Sequence, residues 1–218
     1  MFLHQHPYPP FIPKNTTKLI VGTLPPPRFS TGTLHHDDVD FCYGSRDGQL
    51  WRIIDTIFAL GLIFKNTPEA IQQRKEFLIT HNIGICDVVE RCERQKIDAS
   101  DIGMQNIVLR DVIGHIKKHP TIKTLLFTGG NSKNGPEYLF RKHLRNYPLK
   151  LEVHSSTTPR IHEVRLEDNR RIRTVSLTAP SGSANRAVGS NPIYKALKKK
   201  NPGFTTIDFR VLQYTPFL

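Results

Sequence analysis

One short segment, Lys18–Leu24, constrains the fold more than any other part of this chain. Its sequence, KLIVGTL, is an apolar run that is followed by three prolines, Pro25–Pro27. A strand with one face in water alternates polar and apolar residues, whereas an unbroken apolar run is typical of a strand that is buried on both faces. The segment therefore predicts a central strand of a sheet that is covered on both sides.

Helical and strand-like patterns alternate through the rest of the chain. Apolar spacing predicts a helix at 50–60, and Thr67 and Pro68 are the cap and first-turn residues of a second helix that ends near 81. Further helices are predicted at 107–116, 136–145 and 192–200, strands at 83–89, 123–128, 149–154 and 205–212, and a hairpin across 161–177. Such alternation predicts a three-layer α/β/α sandwich with a short, mostly parallel central sheet.

The domain organisation follows from length and from the distribution of proline. A chain of 218 residues has room for one large domain. Residues 1–17 are proline-rich and lack periodicity, so we expect an N-terminal arm that lies over a single domain spanning residues 18–218.

Charge and cysteine content limit the partners. The chain carries 31 Lys and Arg against 19 Asp and Glu, a formal charge of +12, which favours a polyanion such as DNA. It has no apolar run long enough to cross a bilayer, and its three cysteines are too few for a four-thiolate iron-sulfur cluster. We expect a cytoplasmic monomer with no membrane partner, metal or cofactor, and nucleic acid is the leading candidate for its partner, although some proteins are basic only for solubility.

The loops at the carboxyl ends of the predicted strands are where a ligand would bind in such a sheet. They have the sequences GTLPPP, TGGNSKNG and APSGSANRAVG. The first has neither the glycine spacing of a dinucleotide site nor the Gly-Lys-Ser/Thr ending of a phosphate loop. Its prolines make a rigid apolar edge, which suits a flat base better than a pyrophosphate.

Three of these segments, in this order, resemble the signature regions of the uracil-DNA glycosylase superfamily. They are VGTLP from Val21, FCYGSRDGQLW from Phe41 to Trp51, and APSGSANR from Ala179. The resemblance is closest to the mismatch-specific and hypoxanthine-DNA glycosylase branches, where a Gly-x-x-Pro turn precedes an aromatic-Tyr-Gly segment and a helix that contains Trp. The segments GICDVVERC and LLFTGGN are also similar, so the resemblance covers about residues 18–200.

The resemblance implies a pocket that receives a base flipped out of DNA and cleaves its N-glycosidic bond. Phe41 or Tyr43 would stack on the base, although both rings are also compatible with core packing. Asn131 is either a hydrogen-bonding partner of the base edge or a cap of the following loop. The residues expected at the base pocket are Gly22, Thr23, Leu24, Pro25, Phe41, Tyr43, Gly44 and Asn131.

The resemblance also implies how DNA would be held. Ser181, Gly182 and Ser183 would hold the phosphates that flank the flipped nucleotide, unless this loop is an ordinary polar turn. Asn185 and Arg186 would reach into the groove or fill the gap left by the base. Lys195 and Lys198 would lie near the DNA backbone, or simply form the solvated basic end of a helix.

The chain departs from the family at both usual catalytic positions. Leu24 stands where many relatives have a water-orienting asparagine or acidic residue, and Gly48 stands where the hypoxanthine branch has asparagine. Asp47 is the nearest carboxylate, and it is either the group that activates water or the N-cap of the next helix.

A second polar cluster, His35–Asp38, leaves three interpretations open. It is a solvated loop, a metal site or the source of a proton-transferring histidine. For the whole chain, the leading hypothesis is a DNA glycosylase for deaminated or damaged bases. The alternatives are a catalytically silent DNA-binding protein of the same fold and a small-molecule or nucleotide hydrolase that uses the same crevice.

Overall fold

The computed structural model describes residues 1–218. Its strands are β1 (Phe2–Gln5), β2 (Lys18–Val21), β3 (Ile83–Ile85), β4 (Val89–Arg94), β5 (Gln105–Leu109), β6 (Thr124–Phe127), β7 (Leu151–Ser155), β8 (Arg160–Arg165) and β9 (Arg171–Ser176). Its helices are α1 (Pro27–Ser30), α2 (Leu50–Phe58), α3 (Pro68–Thr80), α4 (Val112–Lys118), α5 (Pro136–Leu144), α6 (Asn185–Ser190), α7 (Pro192–Lys200) and α8 (Thr206–Tyr214). None of these helices combines the length and the apolar character that spanning a membrane requires.

The central sheet has six strands in the order β3-β2-β6-β9-β8-β7. The first four are parallel, and β8 and β7 add an antiparallel edge. The predicted central strand is β2, which pairs with β3 on one side and β6 on the other. The fold-class prediction of a mostly parallel sheet between helical layers is confirmed.

The alternation of side chains along β2 builds a separate core on each face of the sheet. Leu19 and Val21 belong to an apolar cluster that includes residues of α4 and α5. Ile20 belongs to a second cluster that includes residues of α2, α3 and α8. All three side chains are at most 1% exposed, which explains why no polar residue interrupts Leu19–Val21.

Three predicted elements differ from the structure. The segment 83–89 was predicted to be one strand, but β3 ends at Ile85 and β4 begins at Val89. The segment 107–116 was predicted to be one helix, but β5 ends at Leu109 and α4 begins at Val112, where Asp111 caps the helix by accepting from Gly114 N. The segment 205–212 was predicted to be a strand, but it forms α8, which begins with a capping box between Thr205 and Asp208. In 205–212 the alternating apolar pattern fits both a strand and a helix, whereas in 107–116 the apolar residues at helical spacing continue across the end of β5. In both segments the capping residues mark where the helix begins.

The N-terminal residues form part of a second, three-stranded antiparallel sheet in the order β1-β4-β5. Strand β1 pairs with β4, and Phe11 bridges to Ile85 at the edge of the central sheet. These pairings bury His4 and His6, which are 0% and 7% exposed. Residues 6–11 therefore lie against the end of β3, beside the carboxyl ends of the parallel strands.

Candidate functional site

The floor of the candidate site is formed where β2, β3 and β6 end. The carboxylate of Asp87, two residues beyond β3, accepts hydrogen bonds from Gly22 N (2.7 Å) and from the Tyr43 hydroxyl (2.9 Å). The Tyr43 hydroxyl also lies 3.2 Å from Thr128 Oγ1. A Cβ on residue 22 would lie 2.2 Å from that hydroxyl, so glycine is required for Tyr43 to reach the floor.

Asp87 has a third partner from the N-terminal segment. His6 Nε2 lies 2.9 Å from Asp87 Oδ2, and Tyr8 N donates to His6 Nδ1. Because Nδ1 accepts a hydrogen bond, the proton of a neutral imidazole lies on Nε2 and is donated to Asp87. Asp87 is thus a nearly buried carboxylate, 5% exposed, that is held by three donors from three separate segments.

The two aromatic candidates have different surroundings. Tyr43 has a left-handed backbone (φ 59°) that directs its side chain over Gly22. Burial and then the charge of Asp87 raise the pKa of Tyr43 well above its usual range, so the phenol stays protonated and donates. Phe41 is 6% exposed and packs with Phe11 and Trp51, which places it in the core and leaves Tyr43 as the aromatic side chain of the floor.

The opposite wall is the loop 179–186, which meets the segment 41–51 directly. Gly48 and Ser181 form an isolated antiparallel bridge, and Gln49 N donates to Pro180 O (2.8 Å). Ser181 Oγ and Ser183 Oγ lie 2.9 Å apart, and Gly182 has open space where a side chain would be. The glycine and the two hydroxyls therefore present a small-residue surface at the rim.

This loop is held from behind by Arg210 of α8, which is fully buried. Its guanidinium donates to Ala179 O, Ser181 O and Asn185 Oδ1 at 2.9 to 3.0 Å. Asn185 was predicted to reach into a DNA groove, but its amide oxygen is engaged by Arg210. Arg210 was not predicted to support this loop, because residues 205–212 were predicted to form a strand and not α8.

Asp47 lies at the rim, with a side chain that is 70% exposed. Arg28 Nη2 donates to its carboxylate at 3.2 Å. The alternative role of Asp47 as a helix cap is excluded, because the N-cap of α2 is Gln49 and no side chain caps that helix.

Arg28 also determines the structure of the His35–Asp38 loop. It donates twice to Asp38, at 2.7 and 2.8 Å. Burial alone would raise the pKa of Asp38, but the hydrogen bonds from Arg28 and from the backbone of Arg46 and His35 lower it to about 2. Asp38 is therefore an ionised structural residue, while His36 is exposed and pairs with Asp37.

The remaining predicted residues differ in their surroundings. Thr23 donates to Asp101 Oδ1 (2.8 Å), Leu24 packs against the core, and Pro25 is half-buried. Gly44 is required where it lies, because a Cβ there would be 1.9 Å from Val39 O. The side chains that face solvent are those of Asn131, Arg186, Lys195 and Lys198.

Comparison with known proteins gives one likeness that bears on the fold. No protein-family profile and no curated protein matches the chain. Its structure is similar to the solution NMR structure of a putative uracil DNA glycosylase from Methanosarcina acetivorans, with a TM-score of 0.54 and 16% sequence identity. The likeness covers 95% of this chain and 98% of that one, so the two share the same overall fold.

Proposed function

We propose that this protein is a DNA glycosylase that removes a deaminated or damaged base, of the uracil or hypoxanthine type, after the base has flipped out of DNA. The observation that carries the proposal is the convergence of four distant segments at the carboxyl edge of the parallel strands. Gly22, Tyr43 and Asp87 form the floor of the crevice, and the bridge between Gly48 and Ser181 forms its wall. This edge is where α/β sheets bind ligands. The fold shared with the Methanosarcina structure supports the same proposal.

In this proposal the floor recognises the base. Asp87 accepts hydrogen bonds, and the N–H of a uracil or hypoxanthine ring is a donor that can take the place of the Tyr43 hydroxyl. Tyr43, once displaced, offers its ring for stacking. Pro25 and Leu24 would contribute an apolar wall, and Asn131 an amide at the exposed end of the crevice.

Bond cleavage is assigned to the rim. Loss of the base develops positive charge on the sugar, so a carboxylate near the anomeric carbon stabilises the transition state and orients water. Asp47 precedes Gly48, which bridges to Ser181. If the loop at Ser181–Ser183 holds the flanking phosphates, Asp47 lies on the side of the sugar, and we assign it the catalytic role.

DNA is held chiefly through its phosphates. The chain carries a formal charge of +12, and Arg186, Lys195 and Lys198 are exposed just after the Ser181 loop. Basic side chains beside a small-residue loop supply charge and close backbone approach together. We propose that a monomer binds DNA along this face.

The activity assay uses labelled oligonucleotides that carry uracil, hypoxanthine, xanthine or an etheno adduct. Cleavage after hot alkali at one lesion, but not in the undamaged oligonucleotide, is the expected result. Absence of cleavage at every lesion, beside salt-sensitive DNA binding, would leave a catalytically silent DNA-binding protein. Absence of both lesion cleavage and DNA binding would favour a small-molecule hydrolase.

The silent alternative is supported by a specific observation. Asp47, the only carboxylate proposed to activate water, is exposed and already contacts Arg28, and Leu24 has no polar atom in its side chain.

The matched variants Tyr43→Ala and Tyr43→Phe separate lesion binding from folding, whether or not the protein cleaves the base. Loss of the ring should weaken lesion binding by about 1–3 kcal/mol, whereas phenylalanine should retain most of it. Equal losses in both variants would argue against stacking.

A further inference from the structure

A polar cavity lies beside the crevice and is separate from it. It has a volume of about 410 Å³ and lies between residues 5–10 and the beginning of α4. Arg110, Asp111 and His115 line one side, and His6 and three prolines line the other. His6 lies between the cavity and the crevice floor, because it lines the cavity and its Nε2 contacts Asp87 in the floor.

Arg110 is the unusual residue of this cavity. It is 8% exposed, yet its side chain makes only one hydrogen bond within the protein, from Nη2 to Tyr8 O. Nε and Nη1 make no hydrogen bond, and neither nitrogen is sealed from the cavity. No carboxylate oxygen lies within 4.0 Å of the guanidinium nitrogens of Arg110, so the residue forms no ion pair. A guanidinium that is mostly withdrawn from water and lacks a counter-ion is unfavourable.

The other buried arginines each have at least two hydrogen-bond partners within the protein, although Nε of Arg74 is buried without one. Arg210 makes four hydrogen bonds to oxygen atoms. Arg94 contacts His4, Ser100 O and Asp98. Arg74 donates to two carbonyls and lies over the rings of Trp51 and Phe64. Arg110 alone among the four has two free donor atoms at a cavity.

The acidic residues of the lining do not neutralise it. Asp111 is committed to the start of α4, where it accepts from Gly114 N (2.8 Å) and the Tyr147 hydroxyl and lies 3.4 Å from His143. Glu90 is exposed to solvent. His115 is half-buried and its ring makes no hydrogen bond in the protein, so it offers one further donor.

We propose that this cavity is a phosphate-binding site, in which Arg110 supplies the charge and His115 a second hydrogen bond. A guanidinium beside a neutral donor matches the several acceptor oxygens of a phosphate group. The phosphate belongs either to the DNA backbone or to a free phosphate compound. The site does not depend on the glycosylase proposal, because it rests on a different cavity and different residues.

The test titrates the full chain with inorganic phosphate at constant ionic strength and follows binding by calorimetry. The matched variants are Arg110→Gln and Arg145→Gln, which remove the same charge from the cavity and from an exposed position on the surface. Wild type and Arg145→Gln should bind phosphate saturably, and Arg110→Gln should bind at least about tenfold more weakly. Absence of saturable binding in wild type, or equal affinity in both variants, would overturn the proposal.

A second measurement does not depend on the variant folding. Phosphate should shift the ring resonances of His115 and His6 in wild-type protein and leave those of the exposed His36 unchanged. Equal shifts of all histidine resonances, or no shifts, would also overturn the site.

A DNA oligonucleotide then identifies the source of the phosphate. If DNA competes with inorganic phosphate, the site binds the DNA backbone, and if the two bind independently, it binds a free phosphate compound. Both arms can succeed or fail whether or not a lesion is cleaved.

Discussion

The two carboxylates of the crevice, Asp47 and Asp87, differ in their surroundings and therefore in the work they can do. Asp87 is 5% exposed and its oxygens accept from Gly22, Tyr43 and His6. The side chain of Asp47 is 70% exposed and contacts Arg28 at 3.2 Å. A fixed, nearly buried acceptor suits recognition of a base, whereas a solvated carboxylate has access to water.

Substitution of each carboxylate separates these roles. Asp47→Asn should lower kcat by about a hundredfold and leave lesion affinity unchanged. Asp87→Asn should weaken lesion binding by about tenfold, because one of its oxygens becomes a donor facing other donors. Single-turnover kinetics and binding titrations measure the two effects. A loss of kcat in Asp87→Asn with full activity in Asp47→Asn would reverse the assignment.

His4 predicts the pH dependence of stability. Burial, followed by the charges of Arg94 and His6, lowers the pKa of His4 from 6.5 to about 4. Between these values the unfolded state binds a proton that the folded state does not, so the free energy of unfolding decreases as the pH is lowered from 6.5 to 4. Denaturant titrations of wild type should show this decrease.

Variants assign that pH dependence to its residue. His4→Asn keeps an acceptor for Arg94 and should reduce the pH dependence between pH 6.5 and 4, while His115, His143 and His162, whose pKa values burial also lowers, account for what is left. His36→Asn, at an exposed histidine, should leave it unchanged. Asp38 acts at lower pH, since its folded pKa of about 2 is lowered and its contribution is lost only as the pH falls from 3.8 towards that value.

At the scale of elements, helix α8 is the support of the Ser181 loop. Arg210→Gln should remove most of the hydrogen bonds to Ala179, Ser181 and Asn185 and lower the free energy of unfolding by about 3 kcal/mol. DNA affinity should fall with it, because the loop loses its fixed position. Leu212→Gln, at a 56% exposed position of the same helix, is the control for urea unfolding and DNA binding. Unchanged DNA affinity in a destabilised Arg210→Gln would separate the loop from DNA.

The elements were predicted well where a single pattern was decisive. The predicted helix 192–200 coincides with α7, and Thr67 caps α3 by accepting from Ala70 N as expected. The pattern failed at α8, where apolar residues at alternate positions fit both structures, and at the junction of β5 and α4, where apolar residues at helical spacing extend over a strand. At α8 the capping box of Thr205 and Asp208 was the local signal that would have corrected it.

For the whole molecule, charge predicts how DNA binding responds to salt. The logarithm of the DNA association constant should fall linearly with the logarithm of salt concentration, by about 0.9 for each phosphate neutralised. Lys195→Gln should reduce this slope by about one. Lys150→Gln is the control. Lys150 precedes β7 at the edge where β9 begins, opposite the carboxyl ends of the parallel strands, so its loss should leave the slope unchanged. Equal effects of the two variants would indicate nonspecific attraction by net charge.

The sequence by itself determined the layers of this protein, because an apolar run and helical spacing are local properties that each segment carries alone. It also indicated the loops at the carboxyl ends of β2, β6 and β9 as the site. The floor of the crevice was decided only by tertiary structure. Asp87 follows a short strand, and its partners His6 and Tyr43 are 81 and 44 residues away in the chain. Contacts over such separations depend on which strands become neighbours, and no local spacing records that.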